Sequence, residues 1–169
     1  DEVLVVTADD HAAQIAGGYG ANVLIDQERG HNSAAAAGVL TAARAKAGRV
    51  LLIPGDCPLL DPADLDGLIR RSSGTSVVIV PDRHGTGTNA LLLTPPDSLQ
   101  PSFGPDSCAR HLATAEHHGT PAEVVEVPSL ALDVDTPDDL EALHATLEAT
   151  HGRAAHTRGA LRQLWRSRA

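Results

Sequence analysis

The sequence predicts an α/β protein, a doubly wound and mostly parallel sheet with helices on both faces. Three observations predict it. Strand-length apolar runs, EVLVVT at residues 2–7, RVLLI at 49–53 and TSVVIV at 75–80, lack the alternation of a half-wet strand and suit strands covered on both sides. Segments with helical start and stop signals alternate with them. The stretch LLIPGDCPLL, residues 51–60, breaks at Pro54-Gly55 and puts an acid, Asp56, where a central strand would emerge, at the strand ends where such sheets bind ligands.

Taken in order, residues 2–7 read as a buried strand and 8–10 as the turn after it. A short helix at 11–16 and a second strand at 22–25 follow. Residues 32–47 are rich in alanine and form a helix between Gly30 and Gly48. Residues 49–53 are the central strand. Asp61 can accept N–H bonds as the cap of the next helix, Pro62 fits its first position and Asp64 complements its dipole. After the strand at 75–80, PDRHGTGTN (81–89) reads as a polar loop feeding an apolar segment at 90–93. A second polar loop covers 94–106, and a helix covers 107–118. Residues 123–127 form a late strand and 130–133 a brief one. Thr136 caps, and Pro137 opens, a helix that runs to about residue 150.

At 169 residues the chain can bury one core, and one domain is expected over 1–150 with a basic tail at 151–169. Aromatic residues are only 2%, so Ala, Val and Leu have to fill that core. Cys57 and Cys108 make no disulfide framework, which points to a reducing compartment. No apolar run approaches membrane-spanning length and no signal peptide opens the chain, so a cytoplasmic protein without membrane contact is expected. The absence of methionine implies that Asp1 is not the natural start of translation.

All 22 acidic residues precede residue 151, against 8 basic ones there, a balance of −14; the last 19 residues hold five arginines and no acid. Such a body is a poor nucleic-acid binder, and no nucleic-acid partner is expected. The tail is either a frayed, solvated terminus or a short basic helix touching RNA, a membrane surface or the acidic body.

Four constellations could carry chemistry. Asp56, Asp133 and Asp135 form an acidic set; the last two lie two apart in LDVDTPDD and point the same way if extended, a suitable arrangement for Mg²⁺, with turn or helix capping as the alternative. Gly85 to Asn89, GTGTN, could bring backbone N–H groups and the Thr86 and Thr88 hydroxyls to an anion, or could simply turn a hairpin. In FGPDSCARH, Gly104 and Ser107 sit at a helix start that favours a phosphate or carboxylate. Arg110, one turn on, could pair with that anion or lie at the surface. RGHNSA, residues 29–34, could present backbone groups to a purine edge or cap a helix. The nine histidines form no ligand pattern, and Cys57 reads as a packed small residue.

VVTADD, RGHNSA, IPGDCPLL, DRHGTGTNALLL, FGPDSCARH and LALDVDTPDDL, in this order over nearly all of residues 1–150, resemble the 2-phospho-L-lactate or phosphoenolpyruvate guanylyltransferases of coenzyme F-420 biosynthesis. The resemblance implies a nucleotidyltransferase (nucleotide-diphospho-sugar transferase-like) fold. It implies GTP and Mg²⁺ as partners and transfer of GMP to phosphoenolpyruvate or 2-phospho-L-lactate. By matching motif it places Asp56, Asp133 and Asp135 on Mg²⁺, with Asp56 catalytic. It places Thr88, Gly104 and Ser107 on the acceptor, and Gly30 and Asn32 toward guanine.

The acceptor phosphate is already an anion, so this reaction requires alignment and charge neutralisation rather than a base. Two alternatives stand beside it: a related nucleotidyltransferase with a molybdopterin or sugar-phosphate acceptor, and a GTP-binding relative without catalysis. Oligomeric state is open, and a homodimer is compatible with the sequence. Family members begin with a further strand and a Lys/Arg-bearing nucleotide loop, which this sequence lacks. The expectation is a gap between the strands at 3–6 and 50–53, low stability and little activity until that segment is restored.

Overall fold

The computed structural model describes residues 2–27, 30–71, 76–150 and 154–166. Arg29 of the RGHNSA stretch, Thr75 of the strand expected at 75–80, and residues 151–153 and 167–169 of the tail lie outside them. The chain runs β1 (Leu4–Thr7), α1 (Asp10–Gly18), β2 (Asn22–Ile25), α2 (His31–Arg44), β3 (Val50–Leu52), α3 (Pro62–Arg71), β4 (Ser76–Pro81) and β5 (Thr88–Thr94). It continues with α4 (Ser107–His117), β6 (Ala122–Val124), a 3₁₀ turn at Pro128–Leu130, α5 (Pro137–Ala149) and α6 (Ala155–Arg166).

Strands alternate with helices except at the β4–β5 hairpin, where no helix intervenes, and at α5–α6, and β3, β5, β4 and β6 form one sheet in that order. β5 runs against both its neighbours while β4 and β6 are parallel, so three of the four strands share a direction. β1 and β2 pair in parallel as a separate sheet. Among the described residues no ladder joins β1 to β3, and α2 packs against both. Among the described residues, β1 and β3 each have one edge without a ladder partner.

The centre of the fold is the β4–β5 pair. Val77 to Val80 and Ala90 to Leu93 are all buried, so side chains on both faces are covered and the strands need no polar alternation. Their pleat still sorts them. Val78, Val80, Ala90 and Leu92 pack with Leu68, Cys57, Val127 and Leu130 on one side. Val77, Ile79, Leu91 and Leu93 pack with Leu99, Phe103, Cys108 and Ala115 on the other. Burying a side chain of this size contributes about 1.5–3 kcal/mol, which is how a core with one Phe holds together.

Several boundaries differ from expectation for identifiable reasons. β5 begins at Thr88, not at residue 90, because Thr88 and Asn89 are buried polar residues satisfied from other elements. The brief strand expected at 130–133 is absent: the Asn89 amide donates to the carbonyls of Leu130 (2.9 Å) and Ala131 (3.4 Å), replacing a ladder. The late strand is shortened to β6, and α2 ends at Arg44 rather than residue 47, with Lys46 turned to φ 57°. The start of α3 at Pro62 agrees with the sequence, with Asp61 accepting from the Ala63 N–H at 2.9 Å.

Of the two readings of the tail, the helix is the one present over the described residues. Leu161 of α6 packs with Leu132, Leu143 and Leu147, and the Arg158 guanidinium donates to the carbonyls of Leu147 and Thr150 at the end of α5. No described helix is long and apolar enough to cross a membrane.

Candidate active site

Sheet topology gathers the site at one edge. The chain leaves β3 through Ile53-Pro54-Gly55 into Asp56. Because β5 is antiparallel, with Leu52 opposite Leu91 and Pro81 opposite Thr88, its first residues lie beyond the carboxyl end of β3 and beside the end of β4. Thr88 and Asn89 are thereby brought to the sheet edge that Asp56 occupies.

Asp133 and Asp135 are fixed beside it by three contacts. The Val134 N–H donates to the Asp56 carbonyl at 3.2 Å. Asn89 Nδ2 reaches Asp133 Oδ1 at 3.3 Å. Asp139 accepts from the N–H groups of Asp135 (3.2 Å) and Thr136 (2.8 Å), and Arg83 pairs with its other oxygen at 2.6 Å. Thr136 is the cap of α5 and forms a reciprocal capping box with Asp139, so the capping reading of Asp135 does not hold. The Thr136 hydroxyl above all, then the N–H groups and Arg83, holds Asp139 below the usual carboxylate range.

Asp56 feels the other two carboxylates. Burial first, then the charges of Asp135 and Asp133, push the Asp56 carboxyl above its usual range, opposed by its own backbone N–H and by His31. Among the described residues, no three His, Cys, Asp or Glu side chains stand as a ready-made metal cage. Mg²⁺ commonly binds through one or two carboxylates together with substrate phosphates and water. The hard oxygens of Asp56 and its two acidic neighbours are of the type that suits the ion. Cys57 is no nucleophile: burial, with Asp56 beside it, pushes its thiol up to about 12.

The second half of the site is a polar relay between β5 and α4. The Ser107 hydroxyl, at the first turn of α4, lies 3.1 Å from Thr88 Oγ1, which lies 3.1 Å from His111 Nδ1. His111 Nε2 accepts the Ser102 N–H at 2.9 Å. All three side chains are buried. Gly104 has φ +115°, a conformation that favours glycine, and the space where its side chain would start is open. The Ser107 N–H donates to the Gly104 carbonyl at 3.1 Å, so Ser107 links Gly104 to Thr88.

The other two constellations make contacts within the chain. In the GTGTN loop the N–H groups of His84 and Thr86 converge on the chain's own Asp82 carboxylate, at 3.1 and 2.9 Å, and the loop closes the β4–β5 hairpin. Arg110 spends its guanidinium on the carbonyls of Ser102 and Pro105 and braces that loop instead of facing an anion. Gly30, at φ +91°, precedes α2. Asn32 clamps Phe103 through its N–H (2.6 Å) and carbonyl (3.1 Å), and the His31 ring stacks on Phe103 at 4.7 Å. The start of α2 is thus tied to the loop before α4, with His31 near enough to Asp56 to influence its charge.

Residues given no role by the sequence, His111, Asn89, Arg83 and Asp139, turn out to hold the site together. All four lie in stretches that the sequence singled out: Arg83 and Asn89 in DRHGTGTNALLL, His111 at the end of FGPDSCARH, and Asp139 three places after Thr136, where a capping box puts its acid.

Comparison with known proteins agrees with this geometry. The fold is like that of a nucleotide-diphospho-sugar transferase from Desulfovibrio desulfuricans, with a TM-score of 0.74 at 15% identity over 96% of this chain and 73% of that one. The chain is 56% identical to the phosphoenolpyruvate guanylyltransferase of Conexibacter woesei over 99% of its length and 76% of that protein. It is 32% identical to the 2-phospho-L-lactate guanylyltransferase of Methanothermobacter thermautotrophicus, over 97% of its length and 70% of that protein. A family model described as guanylyl transferase CofC-like matches residues 1–167, and with a nucleotidyltransferase fold around an acidic strand edge the chain belongs to that family of enzymes.

Proposed function

We propose that the protein transfers GMP from GTP to phosphoenolpyruvate or 2-phospho-L-lactate, releases pyrophosphate, and serves coenzyme F-420 biosynthesis in the cytoplasm. The acceptor phosphate oxygen attacks the α-phosphorus of GTP, the new P–O bond forms, and the bond to the β-phosphate breaks. The observation that carries this reading is a buried hydroxyl pair at a helix start on the same sheet edge as Asp56, whose carboxyl is repelled by Asp135 and Asp133.

Thr88, Gly104 and Ser107 receive the acceptor's anionic groups, helped by the dipole at the start of α4. Gly30 and Asn32 lie toward the guanine, through backbone and the second amide hydrogen of Asn32. Asp56, Asp133 and Asp135 would hold Mg²⁺, which when bound neutralises charge on the leaving pyrophosphate and polarises the α-phosphate. Asp56, from the strand end, and Asp133, held by Asn89, keep two of these oxygens in fixed positions.

The test is pyrophosphate release with GTP, Mg²⁺ and, separately, phosphoenolpyruvate, 2-phospho-L-lactate and 3-phosphoglycerate. Release with one acid, lost in Asp56→Asn, supports the reading and names the acceptor. Tight GTP binding without release for any of them overturns it, and points to another acceptor or to a protein that only binds nucleotide.

A further inference from the structure

We infer that His111 is a positioning residue that sets the direction of the hydrogen bonds in the Thr88–Ser107 pair, so that the pair offers a hydroxyl proton to the acceptor. The inference rests on the acceptor site proposed above.

The starting point is a donor that cannot be reversed. The Ser102 backbone N–H points at His111 Nε2 at 2.9 Å, so Nε2 must accept and carries no proton. A neutral ring then carries its proton on Nδ1, which faces Thr88 Oγ1 at 3.1 Å and donates to it. The ring is fully buried between Phe103, which it meets edge-on at 5.4 Å, and the start of α4. Burial, with Arg110 next to it, lowers its pKa to about 4, so it stays neutral at neutral pH.

Proton counting gives the consequence. Thr88 and Ser107 have two hydroxyl protons between them, and their mutual contact at 3.1 Å uses one. With His111 donating into the pair, the second proton is left to point outward, whichever hydroxyl carries it. Were His111 an acceptor, it would take that proton and the pair would face a ligand with lone pairs alone. A carboxylate or phosphate only accepts, so the first arrangement binds it and the second repels it. His111 touches no substrate itself.

Two substitutions separate this role from simple loop support. An Asn side chain places its amide nitrogen near the Nδ1 position, and a Gln side chain places its terminal oxygen near Nε2. His111→Asn therefore keeps the donor to Thr88 and loses the Ser102 contact, while His111→Gln does the reverse. Calorimetric titration of phosphoenolpyruvate and of 2-phospho-L-lactate, with Mg²⁺ and a GTP analogue carrying a non-cleavable α,β-methylene bridge, is expected to show Kd raised about tenfold or more in His111→Gln and most affinity retained in the conservative His111→Asn.

Thermal melts identify any variant that fails to fold, and in the unaltered protein the ring ¹⁵N shifts read the tautomer directly. A protonated Nε2, or binding that fails in His111→Asn and survives in His111→Gln, overturns the inference while the acceptor site stands. An unaltered protein that takes up neither acid overturns the acceptor reading and this inference with it.

Discussion

Replacing Asn89 by Ala should uncouple the sheet from the acidic loop. The Asn89 amide is 3% exposed and bonds Leu130 O at 2.9 Å, Ala131 O at 3.4 Å and Asp133 Oδ1 at 3.3 Å. Only the first has good length, so its net worth is about 1 kcal/mol; depriving the buried Leu130 carbonyl of that donor adds about 1–2 kcal/mol of desolvation penalty. The two longer contacts add little to stability but orient Asp133. Asn89→Ala should therefore lose about 2–3 kcal/mol in urea unfolding with an unchanged slope, and should need about tenfold more Mg²⁺ for half-maximal pyrophosphate release. Asn89→Asp should be worse at pH 7, because a carboxylate would face three oxygens, and should recover part of the loss as pH falls and it is protonated. An Asn89→Ala protein within about 0.5 kcal/mol of the parent, with the same Mg²⁺ requirement, would refute the reasoning.

Three further outcomes follow from packing and charge. Gly87→Ala puts a methyl 2.8 Å from Asp82 Oδ2, on a carboxylate whose Oδ1 the hairpin amides hold, and should cost about 1–3 kcal/mol in chemical denaturation; an unchanged midpoint would show that the carboxylate swings clear. Leu161→Ala empties the contact between α6 and α5 and should cost about 2–4 kcal/mol; a cost below 0.5 kcal/mol, on the same order-of-magnitude scale, would mean that α6 detaches freely. His111 has a folded pKa of about 4, below its ordinary 6.5, so the unfolded chain binds the proton first. The neutral ring costs nothing above pH 6.5; stability is then lost as pH falls toward 4, by on the order of 2–3 kcal/mol. Asp139, held below the usual range, loses its contribution only at still lower pH, and His111→Phe should flatten the slope between pH 6.5 and 4 in calorimetric melts.

Local chemistry was legible because its causes are local. Thr136-Pro137 and Asp61-Pro62 name helix starts from within three residues, and the capping box and the Asp61 bond are both present. The apolar runs at 77–80 and 90–93 name central strands because nothing polar could be buried twice. Asn32 also clamps Phe103, 71 residues away, a pairing that no spacing in the sequence reports.

The glycine loop shows why the rest was not legible. GTGTN has the residues of an anion cradle, and it is one, but the anion is Asp82 of the same hairpin. Spending its amides internally makes the turn rigid, and a rigid turn fixes where β5 begins. That start puts Thr88 and Asn89 at the register shift where Ala90 faces Val80 and Thr88 faces Pro81, and at this bulge their side chains go to opposite faces. One reaches His111 and Ser107 at the start of α4; the other reaches Leu130 and Asp133 before α5. A single dipeptide thereby joins the hydroxyl pair to the acidic loop across the sheet. Any shift of register by one residue would exchange the two faces and break both connections at once. The polar residues that looked like loop chemistry are therefore buried strand residues, and their burial fixes the distance between the two halves of the site.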